Sequence, residues 1–323
     1  MGMAIVAIVA GLVVLVWSAD RFVDGAAATA RHLGLPPLLI GMLVIGFGTS
    51  APELMVSALA ALQGNPGLAL GNAYGSNIAN ISLIVGLVAV ISPLLVHSQV
   101  IRRELPLLAL VTLISLWCLF DGEISRWDAL LLLGLLATFM VYSVRSAGGG
   151  SGDPLHGDME TDAAGQSMSL KAGIVWTLVG LVMLIVSSRL LVWGAVSIAE
   201  AFGVSDLVIG LTVVAIGTSL PELASSISAV RKKQHDLVLG NVVGSNMFNT
   251  LGVVGLAGVI EPIQVDPAVL TRDWPVMAVL TLALLIFGMG RKRQGSINRW
   301  EGGILLASFI GYTTYLVFSV IGG

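Results

Sequence analysis

Charge is what this chain of 323 residues has least of. Asp, Glu, Lys and Arg make up 11% of it, where a soluble domain carries about 25%. With 56% hydrophobic residues and a mean hydropathy of +0.95, that scarcity excludes a water-soluble globule and marks a polytopic membrane protein. The net charge of −3 is spread too thinly to attract nucleic acid. Cysteine is nearly absent. The single thiol, Cys118, sits in an apolar run. It excludes a disulfide framework and reads as a small buried hydrophobe. Four histidines (His32, His97, His156, His235) all fall in or beside loops, so no Cys–His cluster points to zinc or copper. Neither a nucleotide-binding loop nor a hydrolase triad pattern is found, so no enzyme activity and no cofactor are expected. No Lys or Arg precedes the apolar run from Met1 to Val16. It reads as a first spanning helix, not a cleaved signal.

At roughly 20 apolar residues per span, the pattern predicts an all-α protein of ten transmembrane helices. They lie near 2–31, 36–62, 67–92, 104–120, 127–145, 170–199, 206–230, 236–260, 273–290 and 298–320. Ser146–Ser169, rich in Gly, Ser and acids, predicts a flexible linker. Its acids (Asp153, Asp158, Glu160, Asp162) lack the spacing of a calcium loop. The expected organisation is a five-helix repeat over 1–145, a linker over 146–169 and a second five-helix repeat over 170–323. With the N-terminus outside, twelve Lys and Arg fall in inner loops and two, Arg126 and Arg272, in outer ones. The positive-inside rule then places both termini outside and the linker in the cytoplasm. An odd number of helices per half makes the second half enter the membrane upside down, the inverted-repeat plan of secondary transporters. Asp20, Arg21, Asp24 and Arg189 read as an intrahelical network near a membrane face, mainly structural in role.

The polar residues inside the apolar segments occur in duplicate. Gly41–Glu53 (GMLVIGFGTSAPE) returns as Gly210–Glu222 (GLTVVAIGTSLPE). Gly71–Asn80 (GNAYGSNIAN) returns as Gly240–Asn249 (GNVVGSNMFN). The offset is the same throughout, and 18 of the 40 positions in 41–80 are identical in 210–249. Glu53 and Glu222 fall near mid-helix, where a charge costs roughly 2.5–3.5 kcal/mol and persists only with a counter-charge. No Lys or Arg in the neighbouring motifs supplies one, which favours cation ligation over a structural salt bridge. Pro52 and Pro221 disrupt the helix ladder, Gly48 and Gly217 permit other backbone geometries, and carbonyls around 46–48 and 215–217 are expected to be freed. Thr49, Ser50, Thr218 and Ser219 add hydroxyls. Ser76 with Asn80, and Ser245 with Asn249, share a helix face. The outcome is an all-oxygen environment of the kind hard cations such as Ca²⁺ take. The glycines at small-xxx-small spacing read as packing seams.

Gly-Thr-Ser-x-Pro-Glu followed by Gly-Asn-x-x-Gly-Ser-Asn-x-x-Asn, present twice, resembles the alpha repeats of the calcium/cation antiporter superfamily. The resemblance covers the whole ten-helix chain. It is closest to prokaryotic sodium/calcium exchangers, near the potassium-dependent branch. It implies antiport of Ca²⁺ against Na⁺ across the inner membrane by alternating access, with K⁺ a further candidate ion. It implies metal ligands at Glu53, Thr49, Ser50, Ser76 and Asn80, and at Glu222, Thr218, Ser219, Ser245 and Asn249. Family members carry Asp where this chain has Asn249, leaving two carboxylates instead of three and the stoichiometry open. The extra hydroxyls favour sodium over the proton-coupled relatives. A proton/calcium exchanger, an antiporter of another divalent ion and a cation channel remain the rival readings. The expected partners are inorganic cations and the lipid bilayer; the oligomeric state is open, and a monomer is compatible with the sequence.

Overall fold

In a bilayer every backbone N–H and C=O must be satisfied within its own segment, so uncharged apolar runs fold as helices. The computed structural model describes residues 1–35, 37–96, 103–147, 168–202, 215–289 and 295–321. Most of the linker, and residues 210–214 of the second motif, lie outside the described residues. The first half contains α1 (Gly2–Leu33), α2 (Leu38–Thr49 continued by Ala51–Leu62), α3 (Pro66–Ile91), α4 (Leu105–Leu119) and α5 (Arg126–Ala147). The second contains α6 (Leu170–Ala201), α7 (Ala215–Thr218 continued by Leu220–Arg231), α8 (His235–Ile260), α9 (Val269–Met289) and α10 (Arg299–Ile321). Seven of these are long and apolar enough to cross a membrane, and the two limbs of α2 together make an eighth. α4 has 15 residues, and the described part of α7 is shorter than a span.

The two motif-bearing helices that follow the glutamates form the centre. In their most apolar stretches α3 is 72% buried and α8 is 78% buried, against 11% for α10. Glycine lets the helices approach. Gly25 of α1 faces Gly173 and Thr177 of α6, where a Cβ would stand 2.5 Å from the Thr177 nitrogen. Gly194, its counterpart in the second half, faces Ala4 and Ile8 of α1 in the same way. The offset of the polar motifs therefore extends to the packing of α1 on α6. The pattern recurs where Gly86 of α3 meets α10 and Gly255 of α8 meets α5. Trp117, Trp127 and Trp300, at the ends of α4, α5 and α10, are among the most exposed side chains. Aromatic residues favour the membrane interface in this way.

Hydropathy does not foresee four short strands. β1 (Leu94–Val96) pairs antiparallel with β4 (Gly295–Ile297), and β2 (Glu123–Ile124) pairs antiparallel with β3 (Ile263–Gln264). β1 and β3 follow α3 and α8, while β2 and β4 precede α5 and α10, so each ladder stitches one half to the other. Strands this short leave no period-2 signal. A cysteine pair tests this join. Leu95 and Ser296 are direct partners across the β1–β4 ladder, and such pairs hold their Cβ atoms about 4.5–5.5 Å apart. Leu95→Cys with Ser296→Cys, in a Cys118→Ala background, should crosslink under mild oxidation. The crosslink should hold the halves together after cleavage within residues 148–167. Fragments that separate from well-folded protein would contradict the pairing.

Candidate cation site

The site begins with two broken helices. Pro52 has no N–H to give Gly48, and Pro221 has none for Gly217. In both helices the break falls at the serine two residues before the proline: Ser50 (φ −81°, ψ 7°) and Ser219 (φ −88°, ψ 6°) leave helical geometry. The two limbs of α2 meet at 43°. Glu53 and Glu222 then sit in the first turn of the second limbs, where the helix N-terminus favours a carboxylate. The expected freed carbonyls are only partly free. The Gly46 carbonyl accepts from the Ser50 N–H (3.3 Å) and the Ser245 hydroxyl (3.0 Å). The Gly217 carbonyl accepts from Ser188 of α6 (2.8 Å).

Both glutamates are fully buried. Each is hydrogen-bonded through one oxygen only. Ser50 donates to Glu222 Oε1 (3.1 Å), across the two halves. Ser76 donates to Glu53 Oε1 (3.3 Å). Ser76 also lies 3.1 Å from the Ser219 hydroxyl; its own proton is spent on Glu53, so Ser219 is the donor there. The second oxygens, Glu53 Oε2 and Glu222 Oε2, have no hydrogen-bond partner. None of the ion pairs found among the described residues involves either glutamate.

The second motif divides its labour by position. α3 and α8 pass into π-helical turns at Asn80 and Asn249, a distortion that marks functional positions in helices. Asn80 gives its N–H to Asn246 Oδ1 (3.0 Å) and keeps its own Oδ1 unpartnered. Asn249 is fully buried with neither amide atom partnered. Buried polar atoms are nearly always paired, so these vacant lone pairs and two half-used carboxylates are the oxygens that could hold a cation. The four unspent side-chain oxygens and the adjacent hydroxyls approach the six to eight ligands Ca²⁺ takes. Two expected ligands have their hydroxyl protons directed elsewhere. Ser245 donates to the Gly46 carbonyl. The one Thr49 proton has two acceptors within reach, Ile45 O (3.0 Å) and Asn241 Oδ1 (3.3 Å), and is shared between them. Thr218 is half-buried on the wall of a 220 Å³ cavity that also touches Pro52, Ser188 and Arg189.

The expected intrahelical network of Asp20, Arg21, Asp24 and Arg189 is corrected. Its members bond between helices: Asp20 and Asp24 face α7, Arg21 faces α6 and Arg189 faces α2. Asp24 pairs with Lys232 at the end of α7 (2.8 Å), and Asp20 accepts from Ser228. Arg21 lies over the Trp176 ring of α6 (5.2 Å). Arg189, which takes the place of Asp20 in the second repeat, reaches Met55 of α2 (3.0 Å). Lys232, Ser188, Asn72 and Asn241 were not singled out from the sequence. The repeated Gly-Asn dipeptide was the available signal for the two asparagines.

The vacant amide of Asn249 gives a test. Asn249→Leu removes no internal hydrogen bond, and replacing an unsatisfied buried polar group is near neutral or stabilising. The melting temperature of the ion-free protein should hold or rise, while Ca²⁺ binding weakens at least about tenfold, roughly 1.4 kcal/mol. A lower melting temperature with unchanged binding would make Asn249 a structural residue.

Known proteins match this arrangement along the chain. The family model described as sodium/calcium exchanger protein matches residues 3–145 and 172–318. The chain is 48% identical over 319 residues to the putative antiporter CaxA of Alkalimonas amylolytica, covering 98% of this chain and 99% of that protein. It is 39% identical to the inner membrane protein YrbG of Escherichia coli, covering 96% and 95%. A solved structure of the sodium–calcium exchanger NCX_Mj superposes with a TM-score of 0.82 at 31% identity, covering 95% and 96%. The ten helices form two inverted repeats in that fold, and the chain belongs to the sodium/calcium exchanger family, whose members are membrane transporters and not enzymes.

Proposed function

We propose that the chain exchanges Ca²⁺ for Na⁺ across the cytoplasmic membrane by alternating access. One observation carries the reading. Two buried glutamates, one from each half, each leave a carboxylate oxygen unpartnered, with no ion pair to either among the described residues. One Ca²⁺ neutralises the pair. Na⁺ uses overlapping oxygens, so the two ions compete. The ligands are Glu53, Ser50, Thr49, Ser76 and Asn80 with Glu222, Ser219, Thr218, Ser245 and Asn249. An empty, doubly charged site resists exposure to apolar surroundings, which couples the two fluxes and suppresses leak. The relatives named for sodium/calcium exchange support the choice of ions. The inner-membrane relative supports the location.

The repeats extend over 1–145 and 170–323, joined by a cytoplasmic linker at 146–169, with both termini outside. The distribution of Lys and Arg supports this orientation. The moving parts are α1 and α6, which pack on one another through glycines. The cavity lined by Thr218 and Pro52 lies beside both helix breaks and against α6. On the other half α1 is tied to α7 by Asp20, Asp24 and Lys232. That tie has no counterpart on α6, where Arg189 replaces Asp20 and Gln63 of α2 replaces Lys232.

Reconstituted vesicles test the proposal. A sodium gradient should drive Ca²⁺ uptake, and Glu53→Gln or Glu222→Gln should each abolish it. Uptake driven by a pH gradient without sodium would reverse the choice of counter-ion. Near-normal uptake in both variants would remove the glutamates from the mechanism. K⁺, Mg²⁺ and Mn²⁺ added in separate arms define the remaining selectivity.

A further inference from the structure

We propose that Asn72 and Asn241 are positioning residues of the ion site: each clamps the backbone of the ligand glutamate in its own half, and Asn241 also holds Thr49 of the opposite half. The contacts repeat across the pseudo-symmetry. Asn72 Nδ2 donates to the Glu53 carbonyl (3.2 Å) and to Ser57 Oγ (3.0 Å). Asn241 Nδ2 donates to the Glu222 carbonyl (3.1 Å) and to Ser226 Oγ (2.8 Å). Glu53 and Glu222, Ser57 and Ser226, and Asn72 and Asn241 are all counterparts at the one offset that relates the two motifs. The orientation of the amides follows from their partners. A main-chain carbonyl only accepts, so the atom facing it must be the amide nitrogen.

The clamp acts where the helix is weakest. Each glutamate sits three residues after its break, at Ser50 or Ser219. The turn preceding it lacks the bond that Pro52 or Pro221 removes. An amide from α3 or α8 compensates by fixing the turn to the most buried helix of its half. Asn241 does more. It is 1% exposed, and its Oδ1 stands 3.3 Å from the Thr49 hydroxyl. One side chain thereby sets the distance between a ligand of one half and the carboxylate of the other. A displacement of either limb moves an oxygen relative to the cation, so loss of the clamp should weaken ion binding without removing a ligand.

The test rests on the exchange reading, and Ca²⁺ binding to the purified chain is measured by titration calorimetry beside thermal melting. Asn72→Ala and Asn241→Ala should each raise the dissociation constant for Ca²⁺ about three- to tenfold, the range one lost hydrogen bond corresponds to. Asn241→Ala should have the larger effect. Thr49→Val and Asn241→Ala combined should weaken binding by less than the product of the single effects, because both break one contact. Thr281→Ala removes a buried hydroxyl bonded within α9 (2.9 Å). As the control for general destabilisation, it should lower the melting temperature and leave the dissociation constant unchanged. If the asparagine variants behave like Thr281→Ala, with lower melting temperature and unchanged dissociation constant, the positioning role is overturned. Wild-type protein that binds no Ca²⁺ would overturn the exchange reading itself.

Discussion

Two carboxylates are buried near the centre of this membrane protein, and no protein cation among the described residues neutralises them. A charge in that setting is costly, and the structure does little to offset the cost internally. Ser50 and Ser76 each satisfy one oxygen of a glutamate, and the other oxygen is left over. The remaining architecture can be read as what this constraint demands. The helices break so that each glutamate starts a new helical limb, where the dipole favours it. α3 and α8 occupy the interior so that amides surround the pair. Glycine seams let backbones close around a site too small for bulky side chains. On the proposed reading, the transported ion makes up the deficit left over.

The site is assembled from two halves, and the symmetry between them is not complete. Ser50 crosses to Glu222, yet its counterpart Ser219 meets Ser76 and not Glu53. Ser76 serves a carboxylate, whereas Ser245 serves the Gly46 carbonyl. α1 is tied to α7 by charges that α6 does not reproduce towards α2. An inverted repeat that was symmetric in every contact would face neither side. Departures of this kind let one sequence hold the site open to one side at a time.

Much of this was legible in the sequence because membrane helices announce themselves by length and hydropathy. The predicted helices near 67–92 and 236–260 agree closely with Pro66–Ile91 and His235–Ile260. The glutamates were legible because a carboxylate is conspicuous in an apolar run, and duplication supplied the second copy. What stayed hidden was set by direction and not by residue type. Ser245 and Thr49 were legible as hydroxyls, but the backbone acceptors that take their protons were not, and a donated proton leaves the oxygen lone pairs available. Asn72 and Asn241 look like any other polar residue of the motif until the carbonyl they face is known. Asp20 and Asp24 lie on one helix, yet their shared partner Lys232 belongs to the other half of the chain. The short strands are stabilised by their partner strands, which no local pattern reveals.

The central claim is that both halves build one site. The number of Ca²⁺ ions bound per chain at saturation measures this most directly, in the wild type and in Glu53→Gln and Glu222→Gln separately. A shared site predicts that either single substitution removes the whole of the binding attributable to the pair. Binding reduced by half in each variant, with the remaining half at wild-type affinity, would show two independent sites and contradict the account.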